Sequence, residues 1–195
     1  MTGNRETPII LAVPPPELHL LIGPVNTLYD ALNKVWSESE SWLSKCNVKK
    51  TEYHGGSFAG NDSRKLLKHC DDLDVLCPEE FKQYVKTFKA FNDVVGGCYG
   101  RNLETNYLKK IEKFKAEYLK LGISVMPKVH AVMYHIGEFC EIKGMGLSPW
   151  SEQTAESLHH DFNQVWENYK VKDKSHPEYG QRLHQAVQIY NSKHL

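Results

Sequence analysis

From position 18 the apolar residues fall at Leu18, Leu21, Ile22, Val25, Leu28, Tyr29, Leu32 and Trp36, helical steps of three and four. Gly23-Pro24 lies inside that stripe, so a kink or a fresh helix start is expected near Pro24. Trp42 and Leu43 extend the helical region by a turn or two. Between Cys46 and Asn61 the period stops, and Gly55-Gly56 and Gly60-Asn61 mark a loop. Asn61, Asp62 or Ser63 can then cap a helix carrying Arg64, Lys65, Leu66, Leu67 and His69. Asp71-Asp72-Leu73-Asp74 reads as a helix end or loop. Pro78 with Glu79 and Glu80 opens the next helix, since proline suits an early position and acids complement the positive end of the dipole. Its apolar face is Phe81, Tyr84, Val85, Phe88 and Phe91, ending near Gly96-Gly97.

Tyr107, Leu108, Ile111, Phe114, Tyr118 and Leu121 line a further helix stopped by Gly122. Another spans Met126 to Phe139 with Pro127 near its start, and Gly144 and Gly146 mark a loop. Ser151 caps a helix from Glu152 whose buried stripe is Ala155, Leu158, Phe162, Val165 or Trp166, and Tyr169. A last helix covers roughly Pro177 to Asn191 through Tyr179, Leu183, Val187 and Tyr190. No segment alternates with the period of two that a half-buried strand requires. The expected fold is all-α, a helical domain of about six to eight helices with long loops. Three regions are expected: an extended opening segment at 1–16 closed by Pro14-Pro15-Pro16, an insertion-like helical region at 17–122, and a helical region at 123–195.

Composition narrows the function classes. The 24 basic and 24 acidic residues cancel, so no overall field points to nucleic acid or a membrane surface. Apolar residues make up 41%, enough for a core. No apolar run approaches the roughly 18 residues of a bilayer span, and Ile9–Val13 is short for a signal-peptide core. Nuclear or cytoplasmic residence is expected. Five cysteines at irregular spacings (Cys46, Cys70, Cys77, Cys98 and Cys140) read as reduced thiols rather than a disulfide framework.

The sharpest chemical signal is the pair His130 and His135. Five residues on a helix subtend about 140°, so the two imidazoles meet on one metal only if the helix ends or bends. Zinc takes four ligands, and Cys98 and Cys140 are candidates by type for the remainder; a purely structural pair is the other reading. Glu152 and Glu156 lie a turn apart near a helix start, with His159 and His160 beyond. They can compensate the dipole or serve as carboxylate ligands of Mg²⁺ in phosphoryl transfer. Lys109, Lys110, Lys113, Lys115 and Lys120, interleaved with Glu112 and Glu117, can follow a phosphate backbone or form a solvated, ion-paired face. Arg64-Lys65 is a smaller basic cluster at a helix start. Trp36, Trp42, Phe81, Phe88 and Phe91 sit at helical spacings and read as core. The chain has no phosphate-binding Walker loop, no dinucleotide-binding glycine motif and no serine-nucleophile elbow, and no motif points to a small-molecule substrate.

The order of these pieces resembles the C-terminal portion of RAG-like and Transib-type DDE transposases, the group that includes the catalytic subunit of the V(D)J recombinase. The resemblance rests on Pro-Pro-Glu-Leu-His-Leu-Leu-Ile-Gly at 15–23 and Gly-Asn-Asp-Ser-Arg-Lys-Leu-Leu at 60–67. It continues through His130 and His135, then Trp150-Ser151-Glu152 with Glu156, and Tyr190-Asn191-Ser192-Lys193. It implies that His130 and His135 are half of a zinc site and that Glu156 is the metal-binding acid, with Glu152 its neighbour and alternative. It implies further that Arg64 and Lys65 sit on the surface of a zinc-braced insertion domain, with DNA as partner. The two aspartates and the CxxC that complete the family's magnesium and zinc sites lie upstream of the matching region. The expectation is therefore a transposase-derived fragment, inactive alone and DNA-associated. The other expectation, from a different class, is a non-catalytic helical interaction or dimerisation module.

Overall fold

The computed structural model describes residues 16–50, 56–150, 161–171 and 173–194. The chain is all-α, and no strand occurs among the described residues. It divides into two compact units after Ser151. In the first lie α1 (Glu17–Val35), α2 (Glu40–Lys45), α3 (Gly60–Lys68), α4 (Cys70–Leu76), α5 (Lys82–Cys98), α6 (Tyr107–Leu119), α7 (Pro127–Tyr134) and α8 (Ile136–Lys143). The second contains α9 (161–167) and α10 (Tyr179–His194). Ten helices among the described residues exceed the expected six to eight because three periodic stretches break. Trp36 turns to an extended conformation after α1, and His69 and His135 leave helical geometry between α3 and α4 and between α7 and α8. The opening segment 1–15, the Ser151 cap and residues 152–160 of the helix expected from Glu152 lie outside the described residues; further along that helix Val165 is buried and Phe162 and Trp166 are half-buried, as its expected stripe requires.

Helix α1 is the spine of the first unit, with Leu21, Val25, Leu28 and Leu32 fully buried. It runs unbroken through Pro24 rather than restarting there. A proline removes the N–H that would bond the carbonyl four residues back, here that of Leu20. The buried Tyr99 hydroxyl, following α5, donates to the Leu20 oxygen at 3.1 Å and satisfies it. Burial also pushes the Tyr99 phenol well above its ordinary pKa, so it remains a donor. Tyr99→Phe is expected to cost about 1–3 kcal/mol by orphaning that carbonyl, measured as a shift in the urea midpoint at unchanged slope.

Around α1 the core is largely aromatic. Phe58 meets Tyr29 edge-on at 5.1 Å, Trp42 meets Phe88 at 5.3 Å, and Phe91 lies 5.0 Å from Phe114. Trp36, Trp42, Phe88 and Phe91 are thus core residues as expected, and Phe81 is partly buried against them. Helix α3 begins at Gly60, ahead of the caps foreseen at 61–63, and Ala59 gives no side-chain cap. The early start brings Gly60 close to Leu18, where a Cβ would lie 2.5 Å from Leu18 Cδ1. The acidic run Asp71-Asp72-Leu73-Asp74 is helical, beginning in the first turn of α4: Asp72 accepts from His69 at 2.7 Å, and Asp74 pairs with Lys82 and Lys89 of α5. Gly122 and Gly144 end α6 and α8 in the left-handed conformation that favours glycine.

In the second unit Phe162 meets Tyr190 at 5.7 Å and Trp166 meets Tyr179 at 5.6 Å, so α9 and α10 run antiparallel. Val165 and Ala186 are buried, whereas Val187 is exposed. The inward face of α10 is therefore Tyr179, Leu183, Ala186 and Tyr190: three of the four expected positions hold, and Ala186 takes the place expected for Val187.

Candidate functional site

The break between α7 and α8 assembles the histidine pair. Val129, Val132 and Met133 of α7 and Ile136, Phe139 and Cys140 of α8 point into the core. Continuous helix would hold His130 and His135 about 140° apart. At His135 the backbone opens to φ −122°, ψ −35°, and the two imidazole rings come to 5.1 Å between centroids. The Tyr134 ring lies 4.7 Å from that of His130, and the Lys115 ammonium sits 4.3 Å from the Tyr134 centroid on its other approach. Gly137 makes the close crossing of α8 over α6 possible, since a Cβ there would lie 3.1 Å from Leu108 Cδ2.

No third histidine, cysteine, aspartate or glutamate joins this pair among the described residues. Cys98 and Cys140, the candidates by residue type, are elsewhere: both are fully buried and interact with each other. The contact with Cys140, together with burial, pushes the Cys98 thiol above its ordinary pKa. All five cysteines are buried free thiols. Two imidazoles are half the donor set of a structural zinc site. For a pair that holds no metal, treatment with EDTA is expected to leave the thermal midpoint unchanged, and a fall of several degrees, reversed by Zn²⁺, would show a metal bound there.

Glu152 and Glu156, with His159 and His160, lie outside the described residues. The basic positions are within them. The Arg64 guanidinium pairs with the carboxylate of Glu17, which is only 1% exposed, and so ties α3 to the start of α1. Lys65 donates to the Asn47 carbonyl at 3.2 Å. On α6, Lys110 pairs with Glu104 at 2.6 Å, Lys113 with Asp93 at 2.9 Å and Lys115 with Glu112 at 3.8 Å, and Lys120, the residue that caps its end, pairs with Glu117 at 2.6 Å. Lys109 is exposed and has no ion pair among the described residues. Hydrogen bonds from Lys120 and Gln83 lower the Glu117 pKa, and those from Lys82 and Lys89 lower that of Asp74 to about 2. The Arg64-Lys65 pair and the α6 stripe start from different helices, and the lysine face is much less cationic than its five lysines suggest. Asp93 and Glu104, the partners supplied from outside α6, carry no local sequence signal and were identifiable only from the folded chain.

Among the described residues no helix is long and apolar enough to cross a membrane. Comparison with protein-family models, with curated proteins and with solved structures gave no match.

Proposed function

We propose that this chain is a transposase-derived helical module, the C-terminal part of a RAG-like DDE transposase, associated with DNA and without strand-transfer activity by itself. The observation that supports this reading is the helix break at His135, which brings His130 and His135 together at the place the resemblance assigns to the zinc histidines. Those two residues offer half of a zinc donor set and do not amount to a cage. Glu156, with Glu152 as the alternative, is the acid the resemblance assigns to magnesium. A single carboxylate does not position the metal ions of in-line phosphoryl transfer, so activity belongs to a chain that also carries the two aspartates.

The face proposed for DNA is the edge of α6 at exposed Lys109 and Lys113, with half-buried Lys110 beside them. A labelled duplex titrated at about 50 mM salt is expected to bind the native chain, and Lys109→Glu with Lys113→Glu to weaken binding at least about tenfold. Unchanged binding by the double variant would remove α6 from the interface, and no binding by the native chain would overturn the DNA role.

A second reading, a non-catalytic interaction or dimerisation module, is favoured by the internal pairing of four of the five α6 lysines. Those pairs leave little free charge for phosphates. Sedimentation equilibrium distinguishes it: a stable dimer without DNA affinity is its expected signature.

A further inference from the structure

A pocket of about 560 Å³ opens between the C-terminal half of α1, Tyr84 of α5 and the segment that follows α6. That volume lies in the range of small-molecule sites. Its apolar lining comes from Ala31 and Val35 of α1 and from Ile123 and Met126 of the segment. The segment is held in place. Gly122 takes the left-handed turn out of α6, and the Tyr118 hydroxyl donates to the Ser124 carbonyl at 2.8 Å. Val35 and Met126 are each about half exposed, so the apolar lining is open to solvent.

Two charged side chains border the pocket, and they are not equivalent. Asp30 is paired with Lys50, which removes it as a free anion. Lys34, one turn further along α1, has no acidic partner among the described residues. The Tyr84 hydroxyl at the back also makes no protein hydrogen bond among them, yet it is not sealed from the pocket. An uncommitted ammonium and an uncommitted hydroxyl donor therefore border one apolar cleft. That is the arrangement for an apolar body with one anionic end.

We propose that this pocket binds a small apolar molecule carrying a single carboxylate, with Lys34 as the partner of the anion and Ala31, Val35, Ile123 and Met126 around its body. A lysine in the last turn of a helix also complements the helix dipole. The two roles are compatible, and the ligand's charge tests the first: without an interaction with Lys34, carboxylate and amine would bind alike.

The test is an NMR chemical-shift titration of the full chain with 4-phenylbutanoate and, in parallel, with 4-phenylbutan-1-amine and 4-phenylbutan-1-ol. The carboxylate is expected to bind with a Kd on the order of 1 mM, shifting amides of 27–35 and 122–126, and the amine about tenfold more weakly. Lys34→Gln, a change at an exposed position that the fold tolerates, is expected to weaken the carboxylate about fivefold while leaving the alcohol unchanged. Ala31→Trp, which fills the cleft, is expected to abolish binding of both. Equal affinity for amine and carboxylate, no shifts up to about 10 mM, or shifts confined to other surfaces would each overturn the proposal.

Discussion

Gly146→Ala is expected to destabilise the first unit by about 3 kcal/mol or more, combining overpacking against rigid backbone with loss of backbone hydrogen bonds. A Cβ at Gly146 would lie 2.1 Å from the Gly100 carbonyl oxygen and 2.6 Å from that of Cys98, neither of which is the yielding end of a side chain. The contact exists because the segment after α8 lies against the end of α5. The Gly146 N–H donates to Arg101 at 2.9 Å and the Leu147 N–H to Cys98 at 2.9 Å, while Leu147 is fully buried. Adding one methyl group must push this segment away and release both bonds. The thermal midpoint should fall by roughly 6–12 °C, from 2–4 °C per kcal/mol at this chain length. Gly180→Ala in α10 is the opposite case: its Cβ meets nothing within 4 Å, and the change should be stabilising by up to about 1 kcal/mol. Equal effects of the two substitutions would mean that the segment at 144–147 is not docked as described.

Trp42→Ala should cost about 4 kcal/mol, in the range for removing a buried aromatic side chain. Trp42 is fully buried between Tyr29, at 6.5 Å, and Phe88, at 5.3 Å, and its indole N–H donates to the His69 carbonyl at 3.0 Å. One side chain thus joins α1, α2 and α5 to the break between α3 and α4. Trp42→Phe retains part of the ring packing and loses the hydrogen bond, so it should cost about 1–2 kcal/mol. Denaturant midpoints of the two variants measure the difference. If the alanine variant lost no more than the phenylalanine variant, the indole would not be filling the core.

How far the sequence could be read depended on how local each cause was. The stripes Phe88-Phe91 and Ile111-Phe114-Tyr118 announced α5 and α6 because amphipathic periodicity is carried by neighbouring residues alone. The breaks at His69 and His135 carried no glycine or proline. At His69 the carbonyl is engaged by an indole 27 positions away in the chain. Pro24 gave the reverse error. Its local chemistry predicts an interruption, but the donor that repairs the helix is Tyr99, 79 positions from Leu20. The lysine stripe and its pairing with the interleaved Glu112 and Glu117 were visible, but the pairing of Lys110 and Lys113 was not, because Glu104 and Asp93 reach α6 from outside it. The histidine pair was legible as a conditional statement, two imidazoles that meet only if the helix ends or bends, and the break at His135 brings them together.

The central claim, a transposase-derived module that associates with DNA, is tested most directly by the salt dependence of duplex binding by the native chain. If Lys110 and Lys113 release their partners and, with Lys109, contact about three phosphates, log Kobs should fall against log salt with a slope near −3. A slope near zero, or no measurable binding at about 50 mM salt while the chain sediments as a stable dimer, would contradict it.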